Sequence, residues 1–443
     1  MPPLSSTSSI QANRDDVQNF FVTLQVDEAD GCFFMRLQFE EYAMNASVFP
    51  EIRVSLDIGC RHHSVAVGLS NGALLDEFEM PHTKAGFDSF FKKIGQYELQ
   101  HKLPVSVAME GYNGYARPLD QMIRARNYRL FNINNLKLAR FKEIFPGAAK
   151  TDALDARKGL ELFQLRDHLP LAKDVLQEVN PTPVVNEHLK RLTRRRRRMV
   201  NDRVRVVNSL QADLHAVSPG LCDVTLDVSQ VWYLNFLSSA EKSLQELPRK
   251  RHETLLKIKG IGKVLIEKIL PWQKQACFSA DVELVSPMIL QDVRRIMELN
   301  AIIKLLDLQI DNLSMKSTEA NLLLSIPGFG KTGGAELAGE IGTVKRFRSE
   351  SSLALYLGMA VLDNSSGNFH GSKTPKHVNK RAKAAMMVAV DHHRRNVTES
   401  KRYYDKKRAE GKTHNQAIRS LGRHLCRVIF KMLSKEMIYQ EKK

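Results

Sequence analysis

The chain has 443 residues, 43% of them hydrophobic, which argues against an intrinsically disordered protein and allows roughly two or three domains. Its 66 Lys and Arg against 49 Asp and Glu give a net charge of +17, so we expect a polyanionic partner, with nucleic acid as the first candidate and an anionic membrane surface as the second. The sequence has no apolar run of about 18 residues, no charged-then-apolar leader and no CxxC pair among its five cysteines. We therefore expect a cytoplasmic protein without a membrane segment, a disulfide framework or a zinc site.

The first half of the chain predicts an α/β domain behind an N-terminal extension. Residues 1–50 form the extension, in which we recognise no chemistry, and residues 51–180 alternate short apolar segments with amphipathic ones. The predicted strands are 52–59, 64–69, 73–80, 105–111 and 129–133, and the predicted helices are 83–97, 118–126 and one that begins near residue 150. Three antiparallel strands followed by alternating strands and helices is the order of an RNase H-like domain.

Four acidic residues stand at decisive places in this order. Asp57 lies in the first strand and Glu110 near the end of the fourth, and these strands are neighbours in an RNase H-like sheet. Asp152 and Asp155 lie three residues apart at the start of the last helix, so their carboxylates project from one face. Acids that meet at one point repel each other unless cations lie between them, and hard oxygen ligands favour Mg²⁺ or Mn²⁺. The four together predict a two-metal site for displacement at phosphorus; the alternative for the aspartate pair is a solvated helix start that favours the helix dipole.

Three motifs carry a resemblance to a known family. The segments Leu56–Gly59 (LDIG), Ala108–Gly111 (AMEG) and Lys150–Arg157 (KTDALDAR) resemble those of the DEDD insertion-sequence transposases, the bridge-RNA-guided recombinases. The resemblance runs from about residue 52 to 162 and resumes near residue 322. It implies a RuvC-like domain whose Mg²⁺ ligands, with Mn²⁺ as a substitute, are Asp57, Glu110, Asp152 and Asp155. It also implies donor and target DNA, a structured guide RNA and a homo-oligomer, dimer or tetramer, in a prokaryotic cytoplasm at the nucleoid.

Residues 184–318 predict a helical insertion. Apolar residues recur at spacings of three and four from Leu189 to Leu214 and from Ile289 to Leu313, which indicates two long helices in an antiparallel coiled coil that another subunit could complete. The first helix carries five consecutive arginines: Arg194, Arg195, Arg196, Arg197 and Arg198. Five like charges in a row are costly without a polyanion, so we expect phosphate contacts there; the alternative is a solvated face. The role of residues 216–280 stays open.

Two glycine-containing stretches resemble the hairpin of a helix-hairpin-helix. The first spans residues 255–263 and is either a decayed or inserted copy or merely a glycine-containing helix joint. The second is the better match and is typical of the C-terminal domain of the resembled family. In it Gly328, Gly330 and Lys331 are candidates for DNA contact, because glycines let backbone amides approach a phosphate.

Residues 319–443 predict a basic, helical C-terminal domain with a serine nucleophile. In the resembled family a Gly-Leu-x-Pro segment leads to a Ser-Gly whose serine attacks DNA, and counting from Gly358 places that serine at Ser366. Val361 stands where proline is usual, and Ser365 is a close competitor. By itself a Ser-Ser-Gly loop predicts only a turn, so the role rests on the resemblance. Cations that follow this loop are candidates for nucleic-acid contact: Lys373, Lys376, Lys380 and Arg381.

The resemblance thus predicts an RNA-guided transposase that breaks and rejoins DNA through a phosphoserine link. One alternative is a metal-dependent Holliday-junction nuclease, in which the acids cut and the serine is only part of a turn. The other is a non-catalytic nucleic-acid-binding protein that uses the fold as a scaffold. These alternatives differ in whether a covalent adduct forms and in whether the acids are needed.

Overall fold

The computed structural model describes residues 49–110, 114–115, 117–143, 152–167, 175–376 and 378–440. The predicted N-terminal extension, apart from its last two residues, and the first two residues of the KTDALDAR motif lie outside the described residues. The described part comprises an α/β region with a central sheet, a pair of long helices that carries a smaller helical region, and a helical C-terminal region. This confirms the predicted mixed α/β and α architecture in outline.

One mixed sheet organises the α/β region. Its strands are β1 (Ile52–Ile58), β2 (His62–Leu69), β3 (Leu74–Pro81), β4 (Val105–Glu110), β5 (Arg129–Ile133) and β6 (Leu176–Glu178), in the spatial order β3-β2-β1-β4-β5-β6. β1 to β3 are antiparallel, β4 and β5 run parallel to β1, and β6 is antiparallel to β5. The predicted neighbourhood of the first and fourth strands is confirmed. This order is consistent with an RNase H-like domain, with β6 added at one edge.

The two faces of the sheet are covered by different helices. The helices are α1 (Lys84–His101), α2 (Arg117–Ala125), α3 (Asn135–Lys142) and α4 (Asp152–Leu165). Val54 and Leu56 share a core cluster with three phenylalanines of α1, whereas Arg53 and Ser55 contact α4. Successive strand residues point to opposite faces, so this alternation assigns each residue of β1 to one helix layer.

Two long helices leave the sheet region and run antiparallel. The helices of this part are α5 (Val184–Val217), α6 (Val231–Ser238), α7 (His252–Leu256), α8 (Lys263–Gln275) and α9 (Val282–Ser314). Arg196 of α5 is paired with Asp307 of α9, and Arg203 donates to Asn300 at 2.9 Å. The residue numbers in α9 fall as those in α5 rise, so the two helices are antiparallel. The predicted antiparallel pairing of two long helices is confirmed. At one end of the pair, residues 218–280 pack with the ends of α5 and α9 around a common core, in which Tyr233 is fully buried.

The other end of the helix pair is embedded in the C-terminal region. The elements there are α10 (Thr318–Leu324), α11 (Lys331–Ile341), α12 (Glu350–Tyr356), β7 (Leu362–Ser366), β8 (Phe369–Lys373), α13 (Lys380–Asn396), α14 (Thr398–Ala409) and α15 (His414–Lys435). Leu189 of α5 and Ile310 of α9 are fully buried in the core that these helices build. The α5–α9 pair therefore joins this core to that of residues 218–280.

The segment around the candidate serine is a β-hairpin, and the predicted loop over residues 358–367 is wrong for residues 362–366, which form a strand. β7 and β8 pair antiparallel from Leu362 with Lys373 to Ser366 with Phe369. Gly367 opens the two-residue turn with φ of +54°, a conformation that glycine adopts without the Cβ penalty of other residues. All five residues of β7 are exposed, which leaves no apolar alternation by which the sequence could have indicated a strand.

Candidate active site and nucleic-acid-binding surfaces

Asp57 and Glu110 end two neighbouring parallel strands. Leu56 and Met109 are paired in the sheet, and Asp57 and Glu110 each follow by one residue at the same edge. Leu56 and Met109 both face the α1 core, so the residues after them point to the opposite face, where α4 lies. Both acids are half-buried. The sheet therefore brings these two carboxylates to one edge and one face.

Helix α4 runs antiparallel to β1 on that face. Near its C-terminal end, the Phe163 carbonyl accepts a hydrogen bond from Arg53 at 2.9 Å. One turn earlier, a Cβ added to Gly159 would lie 2.4 Å from Ser55 Oγ, so glycine is what allows this close crossing. Two residues along β1 and one turn back along α4, the same backbone order puts Asp155 on the face of the sheet that Asp57 shares. Backbone order on both elements thus directs Asp155 toward the edge that holds the other two acids.

Asp155 already has a cation beside it. Lys142 Nζ lies 3.0 Å from Asp155 Oδ1, and the Asp155 side chain is only 13% exposed. Lys142 ends α3, a helix whose N-cap Asn134 accepts a hydrogen bond from Lys137 N. Lys142 therefore compensates the charge of an acid that the protein largely shields from water.

The donor chemistry of this edge suits a hard divalent ion. Among the side chains that the structure describes, no group of three or more His, Cys, Asp or Glu is close enough to hold a metal. The side chain of Asp152 lies outside the described residues, but its backbone is the first residue of α4, one turn before Asp155 and on the same helical face. Carboxylate oxygens are the ligands that Mg²⁺ and Mn²⁺ prefer. Asp57, Glu110 and Asp155 thus suit such an ion in donor type and lie on one face of the sheet, but the structure does not bring these three side chains together as a ligand group.

The two candidate serines occupy opposite sides of the exposed hairpin. Ser366 is the last residue of β7 and pairs with Phe369, whereas Ser365 pairs with His370. Adjacent strand residues point to opposite faces, so only one of the two hydroxyls can face a given phosphate. Both serines are exposed. The candidate cations after them are exposed as well: Lys373, Lys376, Lys380 and Arg381.

Three of the five consecutive arginines have acidic partners within the chain. Arg194 contacts Glu340 at 2.6 Å, Arg197 contacts Glu336 at 2.5 Å, and Arg196 is paired with Asp307. The argument that five like charges need a polyanion therefore fails for these three. Arg195 and Arg198 are exposed, so these two are the stronger candidates in the run for phosphate contact.

The hairpin between α10 and α11 uses its first glycine for internal packing. Gly328 has φ of +87°, and a Cβ there would lie 2.4 Å from the backbone nitrogen of His393 in α13. His393 is buried, and its Nδ1 lies 2.7 Å from the Pro327 carbonyl. Gly330 is open, since a Cβ would meet nothing within 4 Å, and Lys331 is 74% exposed with Asp311 at 3.8 Å. Close packing onto α13 explains Gly328 without any phosphate.

Sequence reasoning missed the acids that organise this region. Glu340 is fully buried, and Glu336 on the same face is nearly so. Burial by itself would raise the pKa of Glu340, but hydrogen bonds from Arg194 and Asn379 hold it below its ordinary value. The i, i+4 spacing of the two acids in α11 matches the i, i+3 spacing of Arg194 and Arg197 in α5. That match has meaning only once the two helices are known to be neighbours.

Known proteins match this chain in both of its larger regions. Residues 54–219 match a DEDD family model described as transposase, and residues 320–405 match one described as transposase of the IS116/IS110/IS902 family. The chain belongs to the IS110/IS116 family of DEDD transposases. This confirms the prediction of an insertion-sequence transposase, an enzyme class that cuts and rejoins DNA. Transposases of the DEDD family normally use a divalent metal.

Two individual relatives cover most of the chain, and a third covers about a third of it. An uncharacterised protein of insertion element IS110 from Streptomyces coelicolor is 26% identical over 88% of this chain and 95% of its own length. A protein of IS116 from Streptomyces clavuligerus is 26% identical over 68% of this chain and 75% of its own. A protein of IS900 from Mycobacterium paratuberculosis is 32% identical over 35% of this chain and 40% of its own length. In the described part of this transposase, no helix has the length and apolarity to cross a bilayer.

Proposed function

We propose that this transposase breaks and rejoins DNA through a covalent link between DNA and Ser366, with a RuvC-like acidic site that binds Mg²⁺. The observation that carries the acidic half of the proposal is the alignment of α4 against β1, which directs Asp155 toward the edge where Asp57 and Glu110 end their strands. The observation that supports the serine half is the exposure of β7 on a hairpin followed by four exposed cations.

In the proposed reaction, the Ser366 oxygen forms a bond to phosphorus as the bond from phosphorus to a deoxyribose oxygen breaks. The proton of the serine hydroxyl ends on the departing deoxyribose hydroxyl, so the charge is unchanged overall. A second DNA hydroxyl reverses the exchange and restores the serine with a new strand joined. The cations after the hairpin would hold the phosphodiester at the serine. When bound at the carboxylates, a divalent ion supplies positive charge that stabilises the phosphoryl oxygens.

The proposal also includes nucleic-acid partners and further copies of the chain. Donor and target DNA follow from the transposase class, and the net charge of +17 suits a second polyanion, which we propose to be a structured guide RNA. The hairpin and the acidic edge belong to different regions of the chain. A homo-oligomer, dimer or tetramer, would let the hairpin of one copy serve the acidic edge of another.

The test is formation of an adduct that survives denaturing electrophoresis, with labelled DNA that carries an end of the element. Ser366→Ala should abolish the adduct, while the matched Ser365→Ala should retain it. Asp57→Asn should lower the yield of the adduct at least tenfold, because it removes a proposed metal ligand. Loss of the adduct in Ser365→Ala alone would move the nucleophile by one residue. Free DNA ends without any adduct would favour a metal-dependent nuclease instead.

A further inference from the structure

The hairpin between α7 and α8 has the same backbone geometry as the one between α10 and α11. Gly260 has φ of +90° and Gly328 has φ of +87°, and Gly262 and Gly330 are both extended N-cap residues without a side-chain cap. The hairpins make the same backbone hydrogen bonds at the same spacing: Ile258 N to Leu255 O and Ile261 N to Ile258 O in the first, Ile326 N to Leu323 O and Phe329 N to Ile326 O in the second. The first hairpin is thus a complete structural copy rather than an irregular helix joint.

The two copies differ in charge. Lys257, Lys259 and Lys263 are all exposed around the α7–α8 hairpin. The equivalent positions of the second copy hold a serine, a proline and Lys331, which has Asp311 at 3.8 Å. From residue 249 to 274 the chain carries eight Lys and Arg against two Glu. The first hairpin therefore carries more positive charge than the second, and its three lysines are accessible to a polyanion.

The first hairpin is also the more accessible at its turn. Gly260 is exposed, whereas Gly328 is only partly exposed. A Cβ on Gly262, like one on Gly330, would meet nothing within 4 Å, so the start of the 13-residue helix α8 faces open space. A Cβ added to Gly260 would lie 3.2 Å from Trp232 Cβ, so Trp232 packs against the turn on its inner side. In the second copy the corresponding glycine is pressed onto the backbone of α13, as described above. Both hairpins thus leave their second glycine open, but only the first also exposes its first glycine and three lysines.

We propose that the α7–α8 hairpin binds the phosphate backbone of duplex DNA, without sequence preference, as a second anchor for the substrate. The inference rests on the transposase assignment, which supplies DNA as the polyanion, and does not depend on the serine link or on the metal. The hairpin belongs to residues 218–280, at the opposite end of α5 from the C-terminal core, and a 34-residue helix is about 50 Å long. The contacted phosphates therefore lie well away from any DNA held at Ser366.

The test compares two full-length variants with equal loss of charge. Lys257→Gln/Lys259→Gln/Lys263→Gln removes the hairpin cations, and Lys84→Gln/Lys92→Gln/Lys102→Gln removes three exposed lysines of the α/β region as the matched control. Fluorescence anisotropy over a salt series measures the binding of a labelled duplex of arbitrary sequence, about 30 base pairs long. We expect the hairpin variant to bind about tenfold to a hundredfold more weakly, with a salt slope smaller by roughly 2 to 3, and the control to change little. Equal behaviour of the two variants would overturn the proposal.

A steric variant tests the same contact without a change of charge. Gly262→Leu places a side chain in the open space before α8, at a φ of −112° that leucine adopts freely, so the melting temperature should stay within a few degrees. We expect DNA affinity to fall severalfold. Unchanged affinity in a folded variant would contradict amide contact. A duplex RNA of the same length is the other arm, and loss of RNA binding with DNA binding intact would overturn the assignment to DNA.

Discussion

Arg194 of α5 donates two hydrogen bonds to the buried carboxylate of Glu340 in α11, at 2.6 and 2.8 Å. The same carboxylate accepts a hydrogen bond at 2.7 Å from Asn379, which caps α13 directly after the hairpin segment. Tyr356 completes the group by donating to the Glu340 carbonyl at 2.7 Å and accepting from Asn379. One buried acid therefore ties the arginine helix to the base of the hairpin that carries the proposed nucleophile.

Glu340→Gln should lower the free energy of unfolding by about 2–4 kcal/mol. A glutamine keeps one oxygen acceptor, but its NH₂ group would face an N–H donor of Arg194 or Asn379. The Arg194 guanidinium would also lose its counter-charge. Chemical denaturation with urea measures the loss. The matched control is Asp202→Asn, which breaks a pair with Arg205, whose side chain is 78% exposed, and should change stability by less than about 0.5 kcal/mol. If the two variants lost equal stability, Glu340 would not have the organising role described here.

Gly159→Ala should separate α4 from β1. Its Cβ would lie 2.4 Å from Ser55 Oγ, so the buried hydroxyl must rotate or the helix must shift, and we expect a loss of about 1–3 kcal/mol together with reduced DNA cleavage. The double variant Ser55→Ala/Gly159→Ala removes the clashing oxygen and should recover most of both. Gly95→Ala is the control in α1, where a Cβ meets nothing within 4 Å, and should be neutral or slightly stabilising. Failure of the double variant to recover would show that the close crossing is not what glycine provides.

His63 should make the fold sensitive to mild acid. Burial, followed by the neighbouring His82 and His62, lowers the pKa of His63 to about 4, and its Nε2 lies 2.9 Å from His82 Nδ1. The unfolded chain binds a proton near pH 6.5 and the folded one only near pH 4, so stability is full above pH 6.5 and is lost as pH falls toward 4. The loss is about 3 kcal/mol at most. In His63→Phe the melting temperature should fall less over this window than in the wild type, and an equal fall would contradict the assignment.

Much of the α/β region could be predicted because its strands carry a period of two. The segments of β1, β4 and β5 are short and apolar, and once they are ordered as an RNase H-like sheet, Asp57 and Glu110 become neighbours. The α5–α9 pair could be predicted because its apolar spacing continues over many turns. The β7–β8 hairpin could not, since strands exposed on both faces leave no pattern.

Contacts between distant segments also lay beyond the sequence. Lys142 and Asp155 meet only because α3 and α4 pack together, and nothing in their spacing indicates it. The ion pairs of Arg194 and Arg197 likewise depend on α11 lying beside α5. A run of five arginines looks the same in sequence whether its partners are phosphates or buried glutamates.

The most direct test of the account is whether the acidic edge binds a divalent ion. Mn²⁺ titration followed by electron paramagnetic resonance should show binding by the wild type and by Asp88→Asn, which removes an exposed acid of α1. Asp57→Asn and Asp155→Asn should each weaken binding by about tenfold or more, because each removes a proposed oxygen ligand. Wild-type Mn²⁺ affinity in both of these variants would contradict the claim that β1 and α4 bring their carboxylates to one cation.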